Sequence, residues 1–256
     1  MEKSYAPPER LELWAVAGLP EIRAGDCLAD LLCRSLADHN QPLEDGDVLV
    51  VAQKIVSKAE GRLVELAQVT PSAYARSVAE QFGKDPRQVE VVLRESRRIV
   101  RMDAGVIIVE THHGLVCANA GVDASNVPEG WVALLPVDPD RSALRLRQNI
   151  AERTGQQVAV IISDTFGRPW REGLTNVAIG VAGFGPLLDY RGEKDGQGHV
   201  LTATVMAVAD ELAAAAELVM GKTARRPAAV IRNFPWTARE GAAAELIRPR
   251  EKDLFR

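Results

Sequence analysis

Val158-Ala-Val-Ile-Ile-Ser163-Asp164-Thr165-Phe166-Gly167-Arg168-Pro169-Trp170-Arg171-Glu172-Gly173 carries the reading of this chain. Its first six residues are nearly all apolar and β-rich, the pattern of a strand buried on both faces. Ending such a run in Asp164 and Thr165 predicts an α/β core with a polar site at the strand's carboxyl end, where ligand sites of such proteins gather. Asp164 and Thr165 offer oxygen ligands suited to magnesium or manganese. Arg168 and Arg171 supply forked donors that fit phosphate or carboxylate. A structural reading of the same residues makes Asp164 a helix N-cap and leaves the arginines on a solvated face.

Working outward, Asp47–Ala52, Gly105–Glu110 and Ala228–Arg232 read as further strands. Helical spacing marks Leu28–Leu36, Pro71–Phe82, Pro86–Ile99, Arg141–Thr154 and Thr202–Met220, with Gly155 and Gly221 as stops. The small residues of the last helix predict close packing. Gly183–Gly198 reads as an insertion or mobile loop. The order is mixed α and β without a regular βαβ alternation.

Two more segments bear chemistry. Lys54-Ile-Val-Ser57-Lys58-Ala-Glu60-Gly61-Arg62 follows a strand and reads as a phosphate-holding segment or a solvated strand-to-loop stretch. Asn119-Ala-Gly121-Val-Asp123-Ala-Ser125-Asn126-Val-Pro128-Glu129-Gly130 can present Asp123 to a hard cation. Its other reading is a turn-rich connector whose Asp and Asn cap their own backbone. No GxGxxG follows a strand, no GxSxG or HExxH occurs, and Gly221-Lys222-Thr223 lacks the first glycine of a P-loop because Ala216 stands there. Paired aspartates, a hydroxyl and several cations are the equipment of metal-assisted phosphate chemistry. His112 and His113 read as structural.

The 256 residues suffice for one large domain or two modest ones. A net charge of −4 has the wrong sign for a generic nucleic-acid binder. No apolar run reaches the roughly 18 residues of a membrane helix, and MEKSYAPPERLELW carries no signal-peptide core. Three cysteines without a CxxC read as reduced thiols of a cytoplasmic protein.

Taken in order, these motifs resemble one family, the coenzyme F420-0:L-glutamate ligases, or F420 γ-glutamyl ligases. The resemblance runs through Gly18-Leu19-Pro20, Gly25-Asp26, Glu44-Asp45-Gly46-Asp47, Lys54 to Arg62, Ala118 to Asn126, Ser163 to Arg171, Asp189-Tyr-Arg-Gly and the stretch from Met220-Gly221 to Ile231-Arg232. It implies a GTP-dependent ligase that joins L-glutamate to the terminal carboxylate of coenzyme F420-0 through an acyl phosphate. It also implies a homodimer, a mixed α+β fold of two interlocked parts that is neither a P-loop nor a Rossmann fold, two manganese or magnesium ions per site, and potassium. Carried over position by position, Asp123 and Asp164 are metal ligands and Thr165 touches a second metal. Gly18, Leu19, Pro20, Lys58 and Asn126 line the GTP site, with Met220 and Gly221 near the nucleotide and second metal. Two positions in that site depart from the pattern. Gln53 replaces a small hydroxyl residue. Lys222 stands where the family can place an oxygen-bearing side chain; a protonated lysine has no lone pair to give a metal, and the alternative reading makes Lys222 a direct phosphate contact in the GTP site. Some relatives append a flavin-binding domain; this chain, ending at Arg256, reads as a single module. The competing readings are a metal-dependent phosphohydrolase and a non-catalytic nucleotide-binding module.

Overall fold

A computed structural model describes residues 5–254. The first four residues of the N-terminal stretch read as leaderless, and Arg256, lie outside the described residues. In chain order the elements are β1 (Glu12–Ala15), α1 (Leu28–Asp38), β2 (Val48–Ala52), α2 (Gln53–Ala59), β3 (Leu63–Glu65), α3 (Ala73–Phe82), α4 (Pro86–Arg94), β4 (Ser96–Asp103), β5 (Val106–Thr111), β6 (Val116–Ala118), β7 (Trp131–Ala133), α5 (Pro139–Thr154), β8 (Ala159–Arg168), β9 (Arg171–Ala182), β10 (Leu188–Asp189), β11 (Val205–Met206), α6 (Val208–Met220) and β12 (Ala228–Arg232). This is a mixed α+β fold.

A five-stranded sheet in the order β1-β12-β2-β8-β9 forms the centre, with β2 and β8 parallel and the other pairs antiparallel. Side chains alternate across a strand, and here both faces are apolar. Leu49, Val51, Val160, Ile162 and Val230 meet α1 and α5 through Leu32, Leu36, Leu146 and Ile150. Val48, Val50, Ala159, Ile161 and Ile231 meet α6 through Ala209, Leu212, Ala213 and Ala216. Ala209, Ala213 and Ala216 of α6 are fully buried and let the helix lie close to the sheet. A separate core, built from Val78, Val89, Val92, Ile107, Val109, Val132 and Leu134, unites α3, α4 and the small sheets β4-β5-β6 and β3-β7. This second part is inserted between α2 and α5.

Four sequence expectations change. The helix starting at Pro86 stops at Arg94, and Ile99 belongs to β4. The Ser96 hydroxyl donates to the Val92 carbonyl (2.5 Å) and closes the last turn, after which Ile99 and Val100 favour a strand. The final helix begins at Val208, because Val205 and Met206 pair instead with Asp189 and Leu188. The stretch after β2 is no loop: α2 starts at the next residue. Asp164, in turn, lies inside β8 and caps no helix. No helix among the described residues is long and apolar enough to cross a membrane.

Candidate active site

β2 ends where Ala52 pairs with Ser163, but β8 runs on to Arg168 with β9 as its only partner strand among the described residues. Asp164 is therefore the first residue beyond the parallel pair. The entry of α2 brings Lys54 to the same place. The inserted part supplies Asp123. Its backbone bonds Ala133 in both directions (3.1 and 2.8 Å), which ties the acidic loop to the β3-β7 sheet. Just before it, Gly121 has φ +69°, and a Cβ there would lie 2.8 Å from the Leu135 side chain, so the turn requires glycine.

Lys54 Nζ donates to Asp123 Oδ2 (2.5 Å), Ser125 Oγ (2.7 Å) and the Ser125 carbonyl (2.8 Å). Ser125 in turn donates its N–H to Asp123 Oδ1 (2.7 Å) and its hydroxyl to Oδ2 (2.8 Å). Burial disfavours the Asp123 charge, but Lys54 and Ser125 outweigh it and hold the carboxyl below its ordinary range. Asp164 goes the other way. Burial lifts it to about 6, the charge of Asp123 adds to the lift, and the Thr165 N–H, Lys54 and Lys222 oppose it. Two carboxylates from distant parts of the chain thus share one electrostatic environment. Cys117, close enough to feel Asp164, is pushed by burial to about 12, so its thiol stays protonated and is no nucleophile.

Strand alternation turns Thr165 away from Asp164, towards α6 and the loop after it. Its Oγ1 donates to Asn176 Oδ1 (2.7 Å) on β9 and receives Lys222 Nζ (2.5 Å). Asn176 Nδ2 donates to Glu217 Oε2 (3.1 Å). Sequence reading missed Asn176 and Glu217. The β8–β9 register and the crossing of α6 bring them to Thr165, and no spacing encodes either. Ser163 Oγ, two residues before Thr165, is buried and has no hydrogen-bond partner among the described residues.

The remaining predicted residues surround this centre at different distances. Lys58, one turn beyond Lys54 and buried, pairs with the exposed Glu21. That pair joins α2 to the Gly18-Leu19-Pro20 segment. Gly18 has φ +75°, and a Cβ there would sit 2.9 Å from the His39 ring. The buried Gln53 accepts from Ser57 Oγ (2.8 Å). Asn126 is exposed with φ +55°. Met220 is buried at the end of α6, and Gly221 turns the chain out of it. Arg168 and Arg171 are not brought to the carboxylates. They face each other where β8 turns into β9, about 13 Å along the strand from Asp164 at roughly 3.3 Å per residue. There the Arg168 guanidinium bonds the Glu172 carbonyl (2.6 Å). His112 and His113 spend ring nitrogens on the Arg94 and Pro136 carbonyls (2.9 and 2.8 Å).

Among the described residues no group of three or more His, Cys, Asp or Glu could hold a metal. The donors present are all oxygen: the carboxylates of Asp123, Asp164 and Glu217, hydroxyls and an amide. They also already draw two ammonium groups. That chemistry fits a hard divalent cation and disfavours zinc or copper.

The family model described as F420-0:Gamma-glutamyl ligase matches residues 18–233. Among curated relatives, the Coenzyme F420:L-glutamate ligase of Methanothermobacter thermautotrophicus is 49% identical, covering 96% of this chain and 99% of its own. The enzyme of that name from Methanopyrus kandleri is 49% identical, covering 92% and 94%. That from Archaeoglobus fulgidus is 44% identical, covering 96% and 97%.

Proposed function

This chain belongs to the F420-0:gamma-glutamyl ligase family, and we propose that it joins L-glutamate to the terminal carboxylate of coenzyme F420-0 at the expense of GTP. The observation that carries this reading is the convergence of Asp123, from the inserted part, and Asp164, from the core sheet, on one site flanked by Lys54 and Lys222.

A carboxylate does not condense with an amine unaided, because its oxygen is a poor leaving group. Transfer of the γ-phosphoryl group of GTP to the F420-0 carboxylate gives an acyl phosphate and GDP. The glutamate amine then attacks the carbonyl carbon, forms the amide and expels phosphate. Asp123 and Asp164 would hold the divalent ion, manganese or magnesium, and Thr165 stands where the second ion of the family would be touched. A divalent ion held there would supply charge neutralisation on the triphosphate. Gly18, Leu19, Pro20, Lys58 and Asn126 would border the nucleotide, with Lys58 giving a cation to phosphate once Glu21 releases it. Lys54 balances Asp123 before ligands arrive. No protein nucleophile is needed, consistent with the protonated Cys117. Potassium is part of the same proposal.

The arm formed by β8 and β9 beyond Ser163 carries Trp170 and Leu174, 80% and 69% exposed. Exposed apolar side chains on a projecting hairpin support a homodimer. Reduced thiols go with a cytoplasmic setting. The deciding experiment incubates the protein with F420-0, L-glutamate, GTP and manganese and reads product mass. One added glutamyl unit, dependent on GTP, supports the proposal. Phosphate release without glutamate or F420-0 would make the protein a phosphohydrolase, and nucleotide binding without turnover a non-catalytic module.

A further inference from the structure

Lys222 Nζ has three oxygen neighbours from three elements: Thr165 Oγ1 of β8 (2.5 Å), Asn176 Oδ1 of β9 (3.3 Å) and Glu217 Oε1 of α6 (3.2 Å). Bonds among themselves also orient these groups. The Asn176 amide N–H is spent on Glu217, and the Thr165 hydroxyl proton points to Asn176. The amide oxygen, the hydroxyl lone pairs and a carboxylate oxygen therefore face one point. Asn176 is 4% exposed, whereas the Lys222 side chain is 59% exposed. The cradle belongs to the fold, while the cation is laid over it from outside. Gly221, at φ +62° and ψ 159°, ends α6 and lets the next residue fold back over Glu217. The charge of Lys222 also reaches Asp164.

We propose that Lys222 is a tethered second cation: its ammonium fills the Thr165–Asn176–Glu217 cradle, and this chain therefore takes one divalent ion per site, at Asp123 and Asp164, in place of two. The inference deepens the functional reading above and rests on it for the first ion alone. An ammonium and a hydrated metal ion compete for the same hard oxygens. A covalently attached ammonium competes at high effective concentration. The positive charge that a second ion would bring is thus supplied by the chain, on the Thr165 side of β8.

Counting Mn2+ tests this. Wild type, Lys222→Gln, Lys222→Arg and Lys222→Gln/Glu217→Gln are titrated with Mn2+ by electron paramagnetic resonance, in the presence of a GTP analogue with a β,γ-imido bridge. Lys222→Gln is expected to bind one more Mn2+ per chain than wild type, Lys222→Arg the same number as wild type, and the double variant to lose the added ion. Equal counts for wild type and Lys222→Gln overturn the proposal, including the case where Lys222→Gln only weakens nucleotide binding and Lys222 is a phosphate contact. The wild-type count judges the first ion separately. If wild type binds none and Lys222→Gln gains one, the Asp123–Asp164 reading fails and the Lys222 assignment stands.

Discussion

Between Ala159 and Ser163, β8 has a strand on either edge and an apolar layer on either face, and each of these residues is buried. Between Asp164 and Arg168 the same strand has only β9, and no side chain is fully buried. One continuous strand thus serves two purposes. The inner half fixes position through burial, and the outer half, held rigid by that anchor, presents polar groups at a defined place. Asp164 stands where the second neighbour is lost. The arrangement sets Asp164 beside the entry of α2 and beside the acidic loop of the inserted part, so three separate segments meet at the end of one buried strand.

The sharpest way to break this contrast is at its boundary. Asp164→Asn is expected to lower ligase turnover by about 10³-fold or more, measured by product mass per time, and yet to fold. Its stability should rise at neutral pH. The folded-state carboxyl sits near 6 against an ordinary 3.8, so the native fold prefers the protonated form. The cost of the charge is complete above pH 6 and vanishes below about pH 4. Removing the charge should therefore raise the unfolding free energy read from urea titration at pH 7.5 by about 1–2 kcal/mol, discounted for partial solvent access, with the gain lost by pH 4. A less stable variant at pH 7.5 would contradict the burial account.

Ile161→Ala probes the other half. It should cost about 2–5 kcal/mol by leaving a cavity under α6, lowering the thermal midpoint by about 5–15 °C, while specific activity of the folded fraction stays within about twofold. A third variant, Lys54→Ala, removes the ammonium that occupies Asp123. Without nucleotide, Mn2+ affinity at the aspartates should rise by about tenfold, read by the same resonance titration; an unchanged affinity would mean that Lys54 does not compete there. The smallest effect is expected at the tip of the arm. Trp170→Ser should change protomer stability by less than about 0.5 kcal/mol but shift sedimentation towards monomer.

The inner strand and its neighbours were legible because unbroken apolar runs admit few other folds. Ala228–Arg232 has the bounds that its composition predicts, and Gly155 ends α5 in the left-handed conformation expected of it. The helix drawn through Ile99 failed because apolar spacing continued past Ser96 while the hydrogen bonding did not. In the site, the family resemblance named Asp123, Asp164 and Thr165, and residue chemistry alone pointed to the same segments. Asn176 and Glu217 were silent, since an asparagine in a strand and a glutamate in a helix carry no signal until register and packing place them at Thr165. Lys222 was visible as a departure from the family pattern. What it does depends on that hidden cradle.

The central claim is that Asp123 and Asp164 together grip one divalent ion beneath the triphosphate. Crystals grown with Mn2+ and the imido GTP analogue, measured at the manganese absorption edge, test it directly. The account predicts an anomalous peak about 2.2 Å from an oxygen of each carboxylate and touching a phosphate oxygen. A peak bound by neither aspartate, or the two carboxylates turned away from each other around an empty site, would contradict it.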